Sequence, residues 1–326
     1  MADVARLAGV TPMTVSRALA DPSRVAPKTL ARVRRAVERC GYVKDAVAGS
    51  LSSQSTQSVG VVVPVLSHSI FADTLQGLAA TLDAHGYRLL IATSEYDLER
   101  ERQSIEALLE RRVDAIALTG TTHSEGSARL LKRAGVPVVE MWNRPARPLD
   151  CSVGFSNFEA ARAMMRHLVS RGYRNIAYIG GLTANNDRTR GRERGYRAGL
   201  REAGMQVSEA RIRRTTFEFE NGARALDDLL ACDPKIDAVF AASDVLAVGA
   251  LLHSVRRRWA VPGRVALAGL DGSAIGAQLT PALTSIRFPR LEIGQRAAQI
   301  LLDRIAGMPR QLVEDLGFEL VPGASA

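Results

Sequence analysis

A chain of 326 residues, 46% of them hydrophobic, is long enough for two or more domains and apolar enough to bury a sizeable core. Its formal charge of +9 points to a polyanionic partner or a basic surface. Cys40, Cys151 and Cys232 lie far apart and the five histidines lack ligand spacing, which argues against a zinc ribbon, a disulfide scaffold or a bound metal. With neither an apolar leader nor a bilayer-length apolar run, the expected location is the cytoplasm, with no membrane partner and no cofactor.

Residues 1–20, MADVARLAGVTPMTVSRALA, read as two short helices around a tight turn. Val4, Ala5, Leu7 and Ala8 give the first an apolar face, and Gly9 allows the backbone conformation that ends it. Thr11 is a natural N-cap, Pro12 suits the first helical position, and Val15 and Leu19 face inward one turn apart. Small Ala5, the turn glycine and Val15 are what a helix-turn-helix needs for close packing at a steep angle. The outer face carries Met13, Ser16 and Arg17, with Thr11, Pro12 and Thr14 at its start, where such a helix meets base edges and phosphates. An ordinary basic helical hairpin is the alternative. Charge favours DNA: residues 1–58 hold nine Lys/Arg against four acids, a net of +5, and the remaining 268 residues carry only +4.

Asp21-Pro22-Ser23 then breaks the chain. From Pro27 a third helix is expected, with Leu30, Val33 and Val37 on its inner face and Arg32, Arg35 and Arg39 toward solvent or phosphate. Gly41 ends it and Tyr42 closes the small core. In KDAVAGSLSSQSTQS, residues 46–51 are weak helix formers because of Gly49 and the Ser/Gln/Thr run. They suit a hinge that is helical only when held against something.

On residues 3–20, 42 and 46–51 the chain resembles the headpiece and hinge of the LacI/GalR family of bacterial repressors. The resemblance implies a homodimer on pseudo-palindromic double-stranded operator DNA. Paired hinge helices would lie in the minor groove, with Leu51 wedged between base pairs and Ala48 facing the partner hinge. Leu51 as a linker residue packed on the core is the competing assignment. Lys44-Asp45 stand where the family usually has Pro-Asn. The first helix starts at Met1 without the residues that normally precede it, so a fraying first turn or an upstream start is expected. Arg17 can donate a bidentate pair to guanine O6/N7, worth about 1–3 kcal/mol of discrimination. Pro12 and Met13 are left to thymine methyls or shape, and Thr11, Thr14 and Ser16 to phosphates and register.

After Ser58 short apolar runs alternate with amphipathic stretches. Strands are predicted at 59–65, 87–93, 114–119, 137–141, 152–155, 175–180, 212–216, 237–241, 265–270 and 284–288. Helices are predicted at 71–85, 98–110, 157–171, 190–203, 222–231, 245–258 and 291–305. Such alternation means parallel sheets covered on both faces, and so many strands call for two halves. The expected fold is a small all-α helix-turn-helix headpiece followed by an α/β core of two doubly wound parallel-sheet lobes. The expected domains are 1–45 for DNA binding, 46–58 for the hinge and linker, and 59–326 for effector binding and dimerisation. Lobe one takes 59–157 plus 289–312, the chain recrossing after Pro289, and lobe two takes 158–286 plus the C-terminal end. Ligands then bind where loops leave the C-terminal strand ends, across a cleft.

The same family resemblance runs through LSHSIFADTLQGL, VGFSNFEAARAM, RGYRNIAYIGG, SDVLAVGA and ALAGLDG. VGFSNFEAAR, LSHSIFA and the terminal GFELVPGASA look closest to repressors of gluconate utilisation. The resemblance implies a periplasmic-binding-protein-like core and a small-molecule effector, a sugar acid such as gluconate, that releases the operator. Arg192 falls where the family grips its ligand, and a guanidinium suits a carboxylate by charge and fork geometry. Asp271 falls where relatives accept hydroxyl hydrogens, and Ser243 where many carry asparagine. Phe71 and Phe217 are candidates for apolar walls, Ser69, Thr119 and Asn157 for polar contacts, with His68 and Arg188 as further candidates. A solvated arginine in DRTRGRER and a core Phe71 are the competing assignments. TTHSEGS reads as a loop beside the pocket. No leucine heptad tail follows, so a dimer is expected rather than a tetramer.

Another sugar or a purine acting as corepressor remains open, as does a sugar-binding protein without a DNA role. An enzyme is not expected, since the chain has no G-x-G-x-x-G after its first strand, no P-loop and no telling Ser/His/Asp set.

Overall fold

The computed structural model describes residues 1–42, 55–66, 69–309 and 312–326, and leaves the side chains of Ala20 and Ser69 undescribed. The chain divides into two compact units, Met1–Thr56 and Gln57–Ala326.

In the first unit, α1 (Ala2–Ala8) ends where Gly9 takes φ 58°, a left-handed position that glycine adopts without a Cβ clash. α2 (Pro12–Ala20) starts on Thr11, whose side chain accepts from the Thr14 N–H at 3.2 Å, with Pro12 in the first turn. A 3₁₀ turn at Pro22–Arg24 leads to α3 (Pro27–Cys40), closed by left-handed Gly41. Val4, Ala5, Ala8, Val15, Ala18, Val33 and Ala36 form the buried core, with Leu19, Leu30, Val37 and Tyr42 packed against it.

Two expectations fail here. Leu7 is 49% exposed, because the inward stripe of so short a helix is filled by Val4, Ala5 and Ala8. Arg32, although exposed, does not extend toward solvent or phosphate but turns its guanidinium back onto the end of α1. Its Nε donates to the Ala8 carbonyl at 2.9 Å and its Nη2 to the Gly9 carbonyl at 2.9 Å, satisfying carbonyls that the end of α1 leaves free.

The second unit holds two parallel sheets. The first contains β1 (Ser58–Val63), β2 (Arg88–Thr93), β3 (Ala115–Thr119), β4 (Val138–Met141), β5 (Cys151–Gly154) and β11 (Val313–Asp315), in the order β11-β5-β4-β3-β1-β2. The second contains β6 (Ile176–Gly181), β7 (Ile212–Thr215), β8 (Ala238–Ala241) and β9 (Ala266–Ala268), in the order β7-β6-β8-β9. β1 and β8 are buried almost throughout, as strands covered on both faces must be.

The helices of lobe one are α4 (Ser69–Ala84), α5 (Leu98–Glu110) and α6 (Glu125–Ala134). Those of lobe two are α7 (Asn157–Ser170), α8 (Asp187–Glu202), α9 (Phe219–Cys232), α10 (Asp244–Arg256) and the short α11 (Ala274–Gln278). α12 (Arg290–Ile305) recrosses and lies against α4, where Thr74 donates to the Arg290 carbonyl at 2.9 Å and Arg290 pairs with Asp73 at 2.8 Å.

The structure adds three features that local pattern did not show. Only the first four residues of TTHSEGS form a loop: from Glu125 the stretch is already α6, capped by Ser124 accepting from the Ser127 N–H at 3.0 Å. β11 pairs with β5, so lobe one keeps the chain beyond residue 312. β10 (Ser285–Arg287) and β12 (Glu319–Val321) form an antiparallel ribbon, which bridges to the second lobe at Ala268–Thr284 and Asp271–Arg287. The C-terminus is tucked into that lobe by Ser325, whose N–H donates to Ala282 and whose hydroxyl donates to Leu267.

Candidate functional site

The outward face of α2 is uncommitted. Thr11, Pro12, Met13, Ser16 and Arg17 are exposed, Met13 by 70%, while Thr14 is half-buried. Thr11 and Thr14 bond to one another, which fixes the start of the helix. Arg17 makes no ion pair or side-chain hydrogen bond among the described residues, so its five donors are free. Ala48 and Leu51 lie outside the described residues.

The second candidate site lies between the lobes of the core, where loops leave the C-terminal ends of β2, β4, β6, β7 and β8. Lobe one contributes Ile70 and Phe71 from α4, Tyr96 and Trp142. Lobe two contributes Asn186, Arg188, Thr189 and Arg192 from the start of α8, then Phe217, Ser243 and Val245. Trp142, 1% exposed, meets Phe71 edge-on at 5.4 Å and Phe288 at 6.4 Å. Its indole N–H has no partner among the described residues.

Arg192 is held on all sides. Its Nε donates to Asn157 Oδ1 at 2.9 Å, its Nη1 donates to the Ala242 carbonyl at 2.7 Å and lies 3.4 Å from Asp271 Oδ1, and the guanidinium stands 5.6 Å over the Phe288 ring. Asn157 in turn donates to the Trp142 carbonyl at 2.8 Å. Asp271 is fully buried. Its Oδ2 accepts from Ser243 Oγ at 2.8 Å and from the Asp244 N–H at 3.3 Å, while Oδ1 accepts no hydrogen bond among the described residues and lies 3.4 Å from Arg192 Nη1.

Burial pushes the Asp271 carboxyl upward, and the Arg192 charge opposes it. Burial, followed by the Asp271 charge, lifts neighbouring Asp244 to about 6. Tyr96 at φ 61°, Trp142 at φ 71° and Asp271 at φ 139° hold left-side backbone conformations costly to residues with a Cβ. That three such residues meet at one cleft is the pattern of a binding site.

The first turn of α8 also fastens the lobes together. Asp187 Oδ2 accepts from the Thr121 N–H at 3.1 Å, the Thr121 hydroxyl at 2.9 Å and Asn143 Nδ2 at 2.5 Å. Arg188 reaches the Thr119 carbonyl at 3.3 Å, and Arg190 reaches the Thr122 hydroxyl at 2.6 Å. Gly120, at φ 94°, makes room for this. A Cβ there would meet Arg188 Nη1 and Asp187 Oδ1.

Of the residues singled out from sequence, Phe71, Arg188, Arg192, Phe217 and Ser243 line the cavity. Thr119, Asn157 and Asp271 stand behind the wall rather than on it: Thr119 offers its carbonyl to Arg188, and the other two hold Arg192. Ser69 begins α4, and His68 lies outside the described residues. Ile70, Tyr96, Trp142, Asn186, Thr189 and Val245 were not foreseen. Asn186 was the most findable of these, since an Asn three residues before Thr189 is a helix N-cap pattern.

Among the described residues no group of three or more His, Cys, Asp or Glu side chains is placed to hold a metal, and no helix is long and apolar enough to cross a membrane.

Comparison with known proteins agrees with both halves of this layout. Residues 1–45 match bacterial regulatory proteins of the lacI family, and residues 56–315 match the periplasmic binding proteins and sugar binding domain of the LacI family. The chain is 36% identical to the HTH-type transcriptional regulator GntR of Escherichia coli (strain K12), covering 99% of this chain and 97% of the relative. It is 34% identical to the HTH-type transcriptional regulator IdnR of the same organism, covering 98% and 96%. A crystal structure of a LacI family transcriptional regulator from Silicibacter pomeroyi superposes with a TM-score of 0.92 at 29% identity, covering 99% of this chain and 98% of that one. The chain therefore belongs to the LacI family of bacterial transcriptional regulators, and its relatives are regulators rather than enzymes.

Proposed function

We propose that this regulator is a cytoplasmic homodimer that represses genes for the use of gluconate or a related sugar acid and leaves its operator when that acid binds between the lobes. The observation that carries the reading is the cavity wall in lobe two. There Arg188 and Arg192 line a cleft between the lobes whose lining mixes cationic, hydroxyl, amide and aromatic groups, as a small-ligand site does. Arg192 is already oriented by Asn157, Ala242 and Asp271, so a carboxylate meets a guanidinium whose rotamer is fixed before binding. Ser243, Asn186 and Thr189 supply hydroxyl and amide partners of the kind a polyol needs, and Phe71, Trp142 and Phe217 supply apolar faces for its carbons.

The DNA half of the reading rests on the free face of α2 and on the +5 charge of residues 1–58. Arg17 takes a guanine edge, Pro12 and Met13 pack on neighbouring bases, and Thr11, Thr14 and Ser16 set register on phosphates. Leu51 and Ala48 act in the paired hinge, as the family resemblance implies. Effector binding shifts the lobes, the first lobes of the dimer pass the shift to the hinges, and the operator weakens the effector by the same factor.

A gel shift on promoter fragments from the gene's own neighbourhood, with and without gluconate, tests the whole scheme. Release at rising gluconate is the expected result. No preference for any promoter fragment refutes the regulator, and tighter binding with gluconate reverses the sign to corepression.

A further inference from the structure

We propose a second site, for a small phosphoryl-bearing polyanion, in the cavity on the face of α8 that carries residues 187, 190, 191 and 194. This cavity is separate from the Arg192 pocket, which uses the 188, 189 and 192 face of the same helix. The helical period divides the two. Residues 190 and 194 are one turn apart on one side, and residues 188 and 192 one turn apart on the other.

Charge is what marks the cavity. Arg144, Arg190 and Arg194 line it, against one carboxylate, Asp187. That carboxylate is already occupied by Thr121 and Asn143 on Oδ2 and lies 3.5 Å from Arg188 on Oδ1. Among the described residues Arg190 is held only by neutral oxygens, the Thr122 hydroxyl at 2.6 Å and the Thr183 carbonyl at 2.9 Å. Arg194 is exposed and makes no ion pair among the described residues. Two other arginines of α8 are paired with carboxylates: Arg192 stands beside Asp271, and Arg197 takes Glu193 and Glu209.

Two like charges one helical turn apart without a carboxylate between them repel. They gain from an anion that takes both. Ser156 and Phe158 bring the start of α7 to the same wall, where the helix dipole adds partial positive charge. Three guanidinium forks arranged around one space match the several acceptor oxygens and double charge of a phosphoryl group better than a single carboxylate. Arg144 belongs to lobe one and pairs with Asp315 at 2.7 Å, so a bound anion shares or displaces that carboxylate. Because Arg190 and Arg194 belong to lobe two, such an anion spans the lobes.

The test is calorimetric titration of the full chain with pyrophosphate at constant ionic strength. Saturable binding of one pyrophosphate per chain is expected in the core. Arg190→Gln and Arg194→Gln together should weaken it at least tenfold, and Arg144→Gln threefold or more. Arg129→Gln, an exposed position on α6, should leave it unchanged. Arg190 also holds Thr122, so a thermal melt checks the double variant. If that variant has lost its fold, Arg194→Gln alone decides, with at least a threefold loss expected. Wild-type affinity in the Arg194 variant, absence of saturable binding, or one-for-one displacement of pyrophosphate by gluconate overturns the second site.

Discussion

The headpiece and the core use the same side chain in opposite ways. Arg17 stands exposed on α2 with no partner among the described residues, whereas Arg192 is 5% exposed and fastened to Asn157, Ala242 and Asp271. A cation that must reach into a groove gains from staying solvated until it docks. A cation that must grip a small acid inside a cleft would lose too much by ordering itself at that moment, so the protein orders it in advance. Stability and recognition are therefore separable in the headpiece and entangled in the core.

The strongest way to break that contrast is Arg192→Leu. It leaves the Asp271 carboxylate buried without its charge partner, and core stability should fall by about 3–5 kcal/mol, read from urea unfolding. Adding Asp271→Asn should recover part of the loss. A core unaffected by the single change would show that the pair is not structurally coupled.

The next effect is a pH dependence confined to the core. Burial alone would lower the His123 pKa, but Glu101, 2.9 Å away, and Glu140, 3.3 Å away, outweigh it and lift the imidazole to about 9. A folded-state pKa above the unfolded value gives stability that is complete below about pH 6.5 and lost as pH rises through about 9, about 3 kcal/mol over that window. The headpiece has no histidine, so its melt should stay flat across that range while the core midpoint drifts down. His123→Gln should flatten the core profile as well.

Arg17→Ala should cost about 1–3 kcal/mol of operator preference over random DNA, measured by competition anisotropy, with headpiece stability unchanged. Weak binding that depends steeply on salt should remain. If the melt shifts instead, recognition and stability are not separable there. The smallest effect is Thr11→Ala, which removes the cap of α2 and should lower headpiece stability by about 1 kcal/mol, seen as a shifted thermal midpoint.

Legibility in the sequence followed the range of the interactions. α5 at Leu98–Glu110 was read to the residue, because Asp97 caps it and apolar residues recur on one face. The start of α8 was placed three residues late. The polar run from Asn186 to Arg190 has no apolar period, and what makes it helical is the Asn186 cap together with its bonds across to lobe one. Tyr96 and Trp142 gave no signal at all, since a wall residue in a left-handed loop conformation looks like any aromatic after a strand. Arg32 was misread for a related reason. Its partners, the Ala8 and Gly9 carbonyls, are far from it in sequence.

What the order of residues decided alone was the alternation of strand and helix, the helix-turn-helix with its cap and turn glycine, and the concentration of positive charge at one end. These depend on neighbours within a turn or two, where backbone preference and apolar period act directly. What only the folded chain decided was which charged groups are buried, with whom they pair, and which are left free. That choice rests on contacts such as Arg192 with Asp271 and Asp187 with Thr121, whose strength comes from exclusion of water by segments that meet only in three dimensions.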